Sequence, residues 1–283
     1  METNLSTPDW NYTWETQRIG LDSVVNAREL GGYVMQDGRR IKRGLLLRGG
    51  GLAKASETDL KRLEDNFKVS YIFDFRTEGE VVHAPDKELN GARHIWLPTI
   101  DPNTEKLGTT NLPPQAYRVL PQYLVAHYEE EMVQRVARGM YIEMLANEYT
   151  QLQYASFLQM ILQNEGGAVY WHCSQGKDRT GLGAMLLLSA LGADRRTIVN
   201  DFAITNTYYA QELKLALDMM EVRNGGERGR DVVVAFIGAH IGYFENMLDF
   251  IDREFGSLLS YVRNQLLLSD GDLENLRNKY LEN

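Results

Sequence analysis

The chain has 283 residues, of which 43% are hydrophobic and 24% charged, values that are ordinary for a folded globular protein. Its formal net charge of −9 disfavours nucleic acid and broad anionic membrane surfaces as partners, and no apolar run approaches the ~18 residues of a membrane-spanning helix. The single cysteine, Cys173, excludes an intramolecular disulfide.

The first 21 residues are polar, with three aromatic residues among them, and are predicted to form an N-terminal extension. They contain no basic stretch followed by an apolar one, so no secretory signal is visible. A chain from which such a signal had been removed would look the same. The protein is therefore expected to be either cytoplasmic or exported.

Short apolar segments with strand character alternate with helical patterns over the first hundred residues. Strands are predicted at 45–48, 69–73 and 92–97. The second strand is followed by Asp74 and Arg76, for which a structural ion pair is favoured over a catalytic role, and Glu80 could join them. The third strand leads into a loop that contains Asp101 next to Pro102, a combination that usually reflects turn chemistry.

Residues 103–164 carry several helical patterns, at 121–137, 141–146 and 151–162. The stretch 105–150 is longer than a simple connection between two elements. We predict that it forms helices over the mouth of a pocket. The alternative is a set of plain helices on the flank of the sheet.

The sequence WHCSQGKDRTG at 171–181 carries the strongest functional signal. An apolar run at 167–171 precedes it and a helical pattern at 181–191 follows, which predicts a strand, a tight loop and a helix N-terminus. Such a loop directs backbone N–H groups at one point, where they and the helix dipole lower the pKa of a thiol. The planar fork of Arg179 matches two oxygens of a phosphate. The segment therefore predicts a phosphate-monoester site with covalent catalysis by Cys173, although a lone cysteine after a strand is more often a buried structural residue.

HCSQGKDRTG resembles the HC-x5-R-[ST] signature of cysteine-dependent phosphatases. Its GKDRTG portion is similar to that of a bacterial tyrosine-phosphatase-like family that often acts on phosphoinositides as well as phosphoproteins. The resemblance extends from about residue 22 to the C-terminus. It implies an α/β cysteine-phosphatase fold, with a central, mostly parallel sheet flanked by helices and a helical lid-like insertion at 105–150. A single phosphatase domain is accordingly expected over 22–283.

The expected site consists of ten residues. Cys173 attacks phosphorus, and Arg179 with the loop N–H groups binds the equatorial oxygens. Two carboxylates compete for the role of general acid, Asp101 and Asp178, with a slight preference for Asp101 that rests on the resemblance. The predicted substrate-binding residues, of which His172 also tunes the thiol and Thr180 stabilises the thiolate, are His172, Ser174, Gln175, Gly176, Lys177 and Thr180.

Lys177 bears on substrate specificity. The resemblance implies a second cation beside the transferred phosphate, as in phosphoinositide phosphatases. The expected substrate is therefore a protein that carries phosphotyrosine, or phosphoserine and phosphothreonine, or else a phosphoinositide. The alternative is a lysine solvated at the rim of the pocket.

Neither a metal nor another cofactor is implied, because the five histidines are scattered without the spacing of metal-binding motifs. Two other functions remain open. A rhodanese-like sulfurtransferase is disfavoured because its shorter loop would not normally carry an arginine at the position of Arg179. A catalytically inactive phosphate-binding pseudophosphatase is disfavoured by the intact Cys173 and Arg179. The physiological substrate and the oligomeric state are left open.

Overall fold

A computed structural model describes residues 17–103, 139–222 and 233–283, and a five-stranded sheet lies at the centre of these residues. β1 (Arg28–Glu29) runs antiparallel to β3 (Leu46–Gly49), whereas the other neighbouring strands are parallel. The mostly parallel sheet is thus confirmed, and four strands lie within two residues of their predicted bounds. In spatial order, the strands are β1 (Arg28–Glu29), β3 (Leu46–Gly49), β6 (Val169–His172), β4 (Tyr71–Asp74) and β5 (Arg93–Trp96).

The register of the sheet brings the ends of three strands to one level. Gly49 of β3 and Asp74 of β4 both pair with His172 of β6. In a parallel sheet the loops at the carboxyl ends of the strands share one edge, which is where α/β proteins bind their ligands. The segments that follow Gly49, Asp74 and His172 therefore meet at this edge.

Successive side chains of the strands point to opposite faces and divide the core into two layers. Leu46 and Trp171 belong to the larger cluster, whereas Leu47 and Tyr170 belong to a smaller one on the other face. Burial on both faces explains why the central strands read as continuous apolar runs.

Helices cover both faces of the sheet. The central one is α5, in which every residue from Thr180 to Leu191 is buried, and it ends at Gly192, whose φ of 97° suits a glycine C-cap. The helices of the described ranges are α1 (Glu57–Lys61), α2 (Glu78–His83), α3 (139–146), α4 (Glu148–Gln163), α5 (Asp178–Leu191), α6 (Arg195–Ala203), α7 (Thr205–Tyr208), α8 (Ala210–Val222), α9 (233–237), α10 (Ile241–Phe255), α11 (Leu258–Asn264) and α12 (Asp270–Tyr280).

The C-terminal end of the chain packs back on the domain. β7 (Leu281–Glu282) pairs antiparallel with β2 (Arg40–Ile41) in a second, two-stranded sheet. At the other end of the described chain, Ile19 is buried in the smaller cluster of the core. The boundary between an N-terminal extension and the domain at residue 22 remains a prediction.

Most of the stretch predicted to form a lid, 105–138 out of 105–150, lies outside the described residues. Within its described part, α3 buries Tyr141 and Leu145 in the larger core cluster. Closure of this stretch over a pocket remains a prediction. Among the described helices, none is both long and apolar enough to cross a membrane.

Candidate active site

The loop between β6 and α5 holds Cys173 at the shared edge of the sheet. Its tight path depends on Gly176, which has a φ of 65°. A Cβ atom at this position would lie 2.3 Å from the carbonyl carbon of Gly49 and 2.6 Å from the backbone nitrogen of Gly50. Only glycine allows the loop to pass so close to the end of β3. The loop is therefore pressed against the neighbouring strand end.

The environment of Cys173 favours the thiolate. The side chain is free of disulfide and only 3% exposed, and such burial by itself raises the pKa of a thiol. The Arg179 guanidinium, the Thr180 hydroxyl and the backbone N–H groups of Thr180 and Gln175 outweigh burial and lower the pKa of Cys173 below its usual value. A thiolate nucleophile held by loop N–H groups is the chemistry that the sequence predicts.

The carboxylate of Glu80 holds Arg179. Glu80 was expected only as a possible partner of Asp74 and Arg76. Arg179 Nη1 donates to Glu80 Oε2 at 2.6 Å and Arg179 Nη2 to Glu80 Oε1 at 2.7 Å. Ser174 donates its hydroxyl to the same Oε1 at 2.5 Å. Burial raises the pKa of Glu80, but the Arg179 charge and these hydrogen bonds lower it to about 2. Glu80 therefore remains ionised and orients both a loop hydroxyl and the guanidinium.

Buried polar residues support the loop from behind. The Gly176 carbonyl accepts hydrogen bonds from Asn26 Nδ2 at 2.8 Å and from Arg48 Nη2 at 3.0 Å. Arg48 and Arg28 both form ion pairs with Asp201, and the two arginines have no exposed surface. None of these residues was predicted to belong to the site. A local sequence pattern does not show that two arginines will be buried together with the carboxylate that pairs with them.

Lys177 is buried. The alternative expectation, a lysine solvated at the rim of the pocket, is therefore wrong. The residue is only 2% exposed, and its Nζ donates to the carbonyls of Phe236 at 3.1 Å and Ala235 at 3.3 Å. It also lies 3.4 Å from Asp178 Oδ2. These carbonyls belong to α9, where the C-terminal end of a helix attracts a cation. The ammonium group thus ties the loop to α9.

The two candidate general acids have different surroundings. Asp178 is the first residue of α5, and its Oδ1 accepts a hydrogen bond of 2.5 Å from the hydroxyl of Tyr141. Asp101 accepts from the backbone N–H of Asn103 at 2.8 Å and from Asn147 Nδ2 at 3.3 Å. The N–H of Asn103 is the main cause of a lowered pKa for Asp101. This arrangement favours the ionised form of Asp101, whereas an acid must carry a proton.

The remaining predicted site residues also lie in the loop or next to it. The Gln175 carbonyl accepts from the hydroxyl of Tyr209 at 2.7 Å, and the Arg179 carbonyl accepts from the hydroxyl of Tyr154 at 2.8 Å. His172 and Thr180 are completely buried. Their roles in binding substrate, like those of the other loop residues, remain predictions.

A cluster of charged side chains lies below the loop. The ion pair between Asp74 and Arg76 that the sequence favoured is present at 2.7 Å, and Arg76 also binds Asp86 at 2.7 Å. Within the described residues, Asp74, Asp86 and His172 are close enough together to suggest a metal site. Because Arg76 already pairs with both carboxylates, the group fits an internal ion cluster better than a cation site.

Comparison with known proteins agrees with this geometry. The model of the tyrosine phosphatase family matches residues 19–282. A protein of Cupriavidus necator whose name places it among tyrosine-protein phosphatases is 29% identical over 266 residues, which cover 93% of this chain and 88% of its own length. A tyrosine-protein phosphatase of Nostoc commune is 40% identical over 137 residues, or 46% of this chain and 44% of its own. The triple specificity protein phosphatase PtpB of Mycobacterium tuberculosis is 33% identical over 107 residues, or 35% and 39%.

Structure and comparison agree with one another. Cys173 lies in a loop between a strand and a helix, Glu80 holds Arg179, and the family model matches nearly the whole chain. They confirm the resemblance seen in the signature segment. The chain belongs to the tyrosine phosphatase family and is a protein-tyrosine-phosphatase-like phosphoric monoester hydrolase.

Proposed function

We propose that this protein hydrolyses phosphotyrosine in proteins through a phosphocysteine intermediate. The observation that carries the proposal is the lowered pKa of Cys173, which Arg179 and loop N–H groups produce against the effect of burial. A thiolate in such a setting is a nucleophile, and the same donors match the charge that develops on a transferred phosphoryl group.

In the first step Cys173 Sγ forms a bond to phosphorus, and the bond between phosphorus and the tyrosine oxygen breaks. A carboxylic acid donates a proton to the leaving oxygen. In the second step water attacks phosphorus, its proton passes to the carboxylate, and the thiolate leaves. We assign the acid role to Asp178 rather than Asp101, since Asp178 lies in the loop segment that carries Cys173, whereas Asp101 lies on a separate loop where Asn103 and Asn147 hold its carboxylate.

Two features support phosphotyrosine over other phosphate esters. Cys173 is only 3% exposed, and the tyrosine ring carries its phosphate farther from a peptide backbone than the side chains of serine or threonine do. Lys177 was predicted to add a cation for phosphoinositides, but its ammonium group contacts the carbonyls of Ala235 and Phe236. One relative is named a triple specificity protein phosphatase, so phosphoserine and phosphothreonine peptides belong in the test.

The test is turnover of p-nitrophenyl phosphate and of a panel of phosphopeptides and phosphoinositide vesicles. We expect phosphotyrosine peptides to give the highest kcat/KM, Cys173→Ser to be inactive, and a phosphorylated cysteine to be trapped by rapid acid quench. A wild-type protein that binds phosphate without turnover would instead indicate a pseudophosphatase. Turnover that persists in Cys173→Ser would contradict the covalent mechanism.

A further inference from the structure

The buried histidine next to the nucleophile has oxygen atoms near both of its ring nitrogens. His172 Nε2 lies 3.1 Å from Asp86 Oδ2, and Nδ1 lies 3.3 Å from the Cys173 carbonyl oxygen. Asp74 Oδ1 is 3.8 Å from the same Nδ1. His172 has no exposed surface, so water does not reach either nitrogen.

None of these oxygens can donate a hydrogen bond while the carboxyl groups are ionised. Asp86 is held in its ionised form, since Oδ1 accepts from the backbone N–H of Leu52 at 2.5 Å and Oδ2 accepts from Arg76 Nη2 at 2.7 Å. A neutral imidazole has one N–H and would direct the lone pair of its other nitrogen at an oxygen. A protonated ring donates from Nδ1 to the Cys173 carbonyl and places its positive charge 3.1 Å from the Asp86 carboxylate at Nε2.

The charge of the cluster leads to the same conclusion. Asp74 and Asp86 are two buried negative charges, and Arg76 supplies one positive charge that pairs with both. With a neutral His172 the cluster would keep an uncompensated negative charge below the loop that must carry a thiolate and a phosphate. With a protonated His172 it is neutral, which buried charges require.

We propose that Asp86 is a positioning residue that holds His172 as an imidazolium, through an ion pair at Nε2 and with the Nδ1 N–H on the carbonyl oxygen of Cys173. The proposal rests on the proposed function in that Cys173 is taken as the nucleophile. The imidazolium places a positive charge on the residue next to the thiolate and fixes the peptide group of the cysteine.

Titration of His172 depends on all the groups that surround it. Burial lowers the pKa of His172 and Arg76 lowers it further, but Asp74 and Asp86 outweigh them and raise it above its usual value. Tyr170 packs its ring 5.7 Å away, and His94 also interacts with His172, since burial and the His172 charge lower the pKa of His94. On this account the stabilising effect of the charged ring is present at low pH and is lost as the pH rises through the raised pKa of His172.

The first test is an NMR spectrum of the wild-type protein labelled with 15N-histidine at pH 8. We expect one imidazole that is protonated on both nitrogens and whose signals disappear in His172→Gln. A His172 ring that is neutral at pH 8 would overturn the proposal. This measurement needs neither a substrate nor an Asp86 variant that folds.

The second test uses the rate at which iodoacetamide alkylates Cys173, the only thiol of the chain. In Asp86→Asn, we expect His172 to become neutral and the thiol pKa read from the pH profile of alkylation to rise, so that a rise of one slows alkylation by up to about tenfold below that pKa. If Asp86 acted only as a nearby negative charge, its removal would lower the pKa of Cys173 and accelerate alkylation. Unchanged or faster alkylation therefore overturns the proposal.

Asp59→Asn is the matched control, because Asp59 is also buried and accepts backbone N–H groups, from Asp22 and Ser23, away from the loop. It should change neither the imidazole signals nor the alkylation rate. In a His172→Gln background, Asp86→Asn should no longer slow alkylation, and a further slowing would count against the proposal. Since both readouts work without turnover, absence of phosphatase activity would contradict the proposed function alone.

Discussion

In the proposed mechanism Arg179 has two tasks, since it lowers the pKa of Cys173 and would donate hydrogen bonds to phosphate. Both tasks require a fixed guanidinium, and Glu80 fixes it with two hydrogen bonds on a side chain that is only 13% exposed. Thr77 caps the helix that carries Glu80 and donates its own N–H to Glu80 Oε2. The carboxylate is therefore itself held in place.

Glu80→Gln should lower kcat/KM roughly tenfold to 100-fold without unfolding the protein. The change keeps the size of the side chain but removes its charge, and a charged hydrogen bond contributes about 1.5–3 kcal/mol. Steady-state kinetics on a phosphotyrosine peptide measures the effect, with Glu78→Gln on the same helix as the control. Equal kinetics for both variants would show that Arg179 needs no carboxylate.

Because the pKa of Glu80 is about 2, its ion pair stabilises the fold above the ordinary carboxyl pKa and is lost only as the pH falls towards 2.

The assignment of the general acid separates Asp178 from Asp101. We expect Asp178→Asn to reduce kcat for phenyl phosphate roughly 100-fold to 10,000-fold, since it removes the proton donor to the leaving oxygen. The loss should be smaller for p-nitrophenyl phosphate, whose leaving group needs less protonation. Asp101→Asn is expected to keep most of the activity. The reverse order of the two variants would return the role to Asp101.

Gly176 permits the close approach of the loop to Gly49, and Gly91 offers a control with a similar backbone. Both glycines have positive φ, but a Cβ at Gly91 would meet no atom within 4 Å. Gly91→Ala should therefore cost about 1–2 kcal/mol from the backbone alone. Gly176→Ala should cost more and abolish turnover, because the loop must move away from β3. Urea denaturation and turnover assays check both, and equal effects would contradict the role of close approach.

At the scale of elements, Asp201 joins three parts of the fold. This residue of α6 pairs with Arg28 of β1 and Arg48 of β3, and Arg48 in turn binds the loop carbonyl of Gly176. Burial raises the pKa of Asp201, but the two arginines outweigh it and lower the pKa. The loop is thus connected to the sheet and to α6 through buried charges.

Asp201→Asn should reduce the free energy of unfolding by about 3–5 kcal/mol, since it leaves two buried guanidinium groups without their carboxylate. Asp252→Asn is the control, as Asp252 is half exposed and pairs with Arg195 on the surface, where a pair contributes at most about 1 kcal/mol. Urea denaturation at pH 7 measures both. The Asp201 contribution is present above the carboxyl pKa of the unfolded chain and is lost as the pH falls through the lowered pKa of the folded state. A small effect at Asp201 would show that the network is not an important source of stability.

At the scale of the whole molecule, the described core has a third, smaller apolar cluster beside the loop. Tyr209, Leu213 and Ala216 pack there with Val233 of α9. Two contacts join this cluster to the loop, the hydroxyl of Tyr209 on the Gln175 carbonyl and the ammonium group of Lys177 on α9. The side of the site formed by α8 and α9 is therefore described, whereas residues 105–138 of the expected lid lie outside the described residues.

Lys177→Met tests this connection. It keeps the length of the side chain but leaves two carbonyls without a charged donor, so we expect a loss of about 1.5–3 kcal/mol in the free energy of unfolding. Turnover of phosphotyrosine peptides and phosphoinositide vesicles should fall by the same factor, because the ammonium group serves the fold. A selective loss on phosphoinositides would restore Lys177 as a specificity residue.

The sequence by itself determined the mostly parallel sheet and the family, because apolar periodicity, glycine and the spacing of Cys173 and Arg179 are local features of a strand–loop–helix segment. It also placed Cys173 and Arg179 in the loop between β6 and α5. Asp74 and Arg76 were likewise identified as an ion pair, since they are neighbours in the chain. Only the tertiary structure decided that Glu80 holds Arg179, that Asp86 faces His172 and that Lys177 points to α9. Each of these contacts joins residues brought together by the register of the sheet or the packing of helices, and burial then gives their charges an effect that a solvated pattern does not reveal.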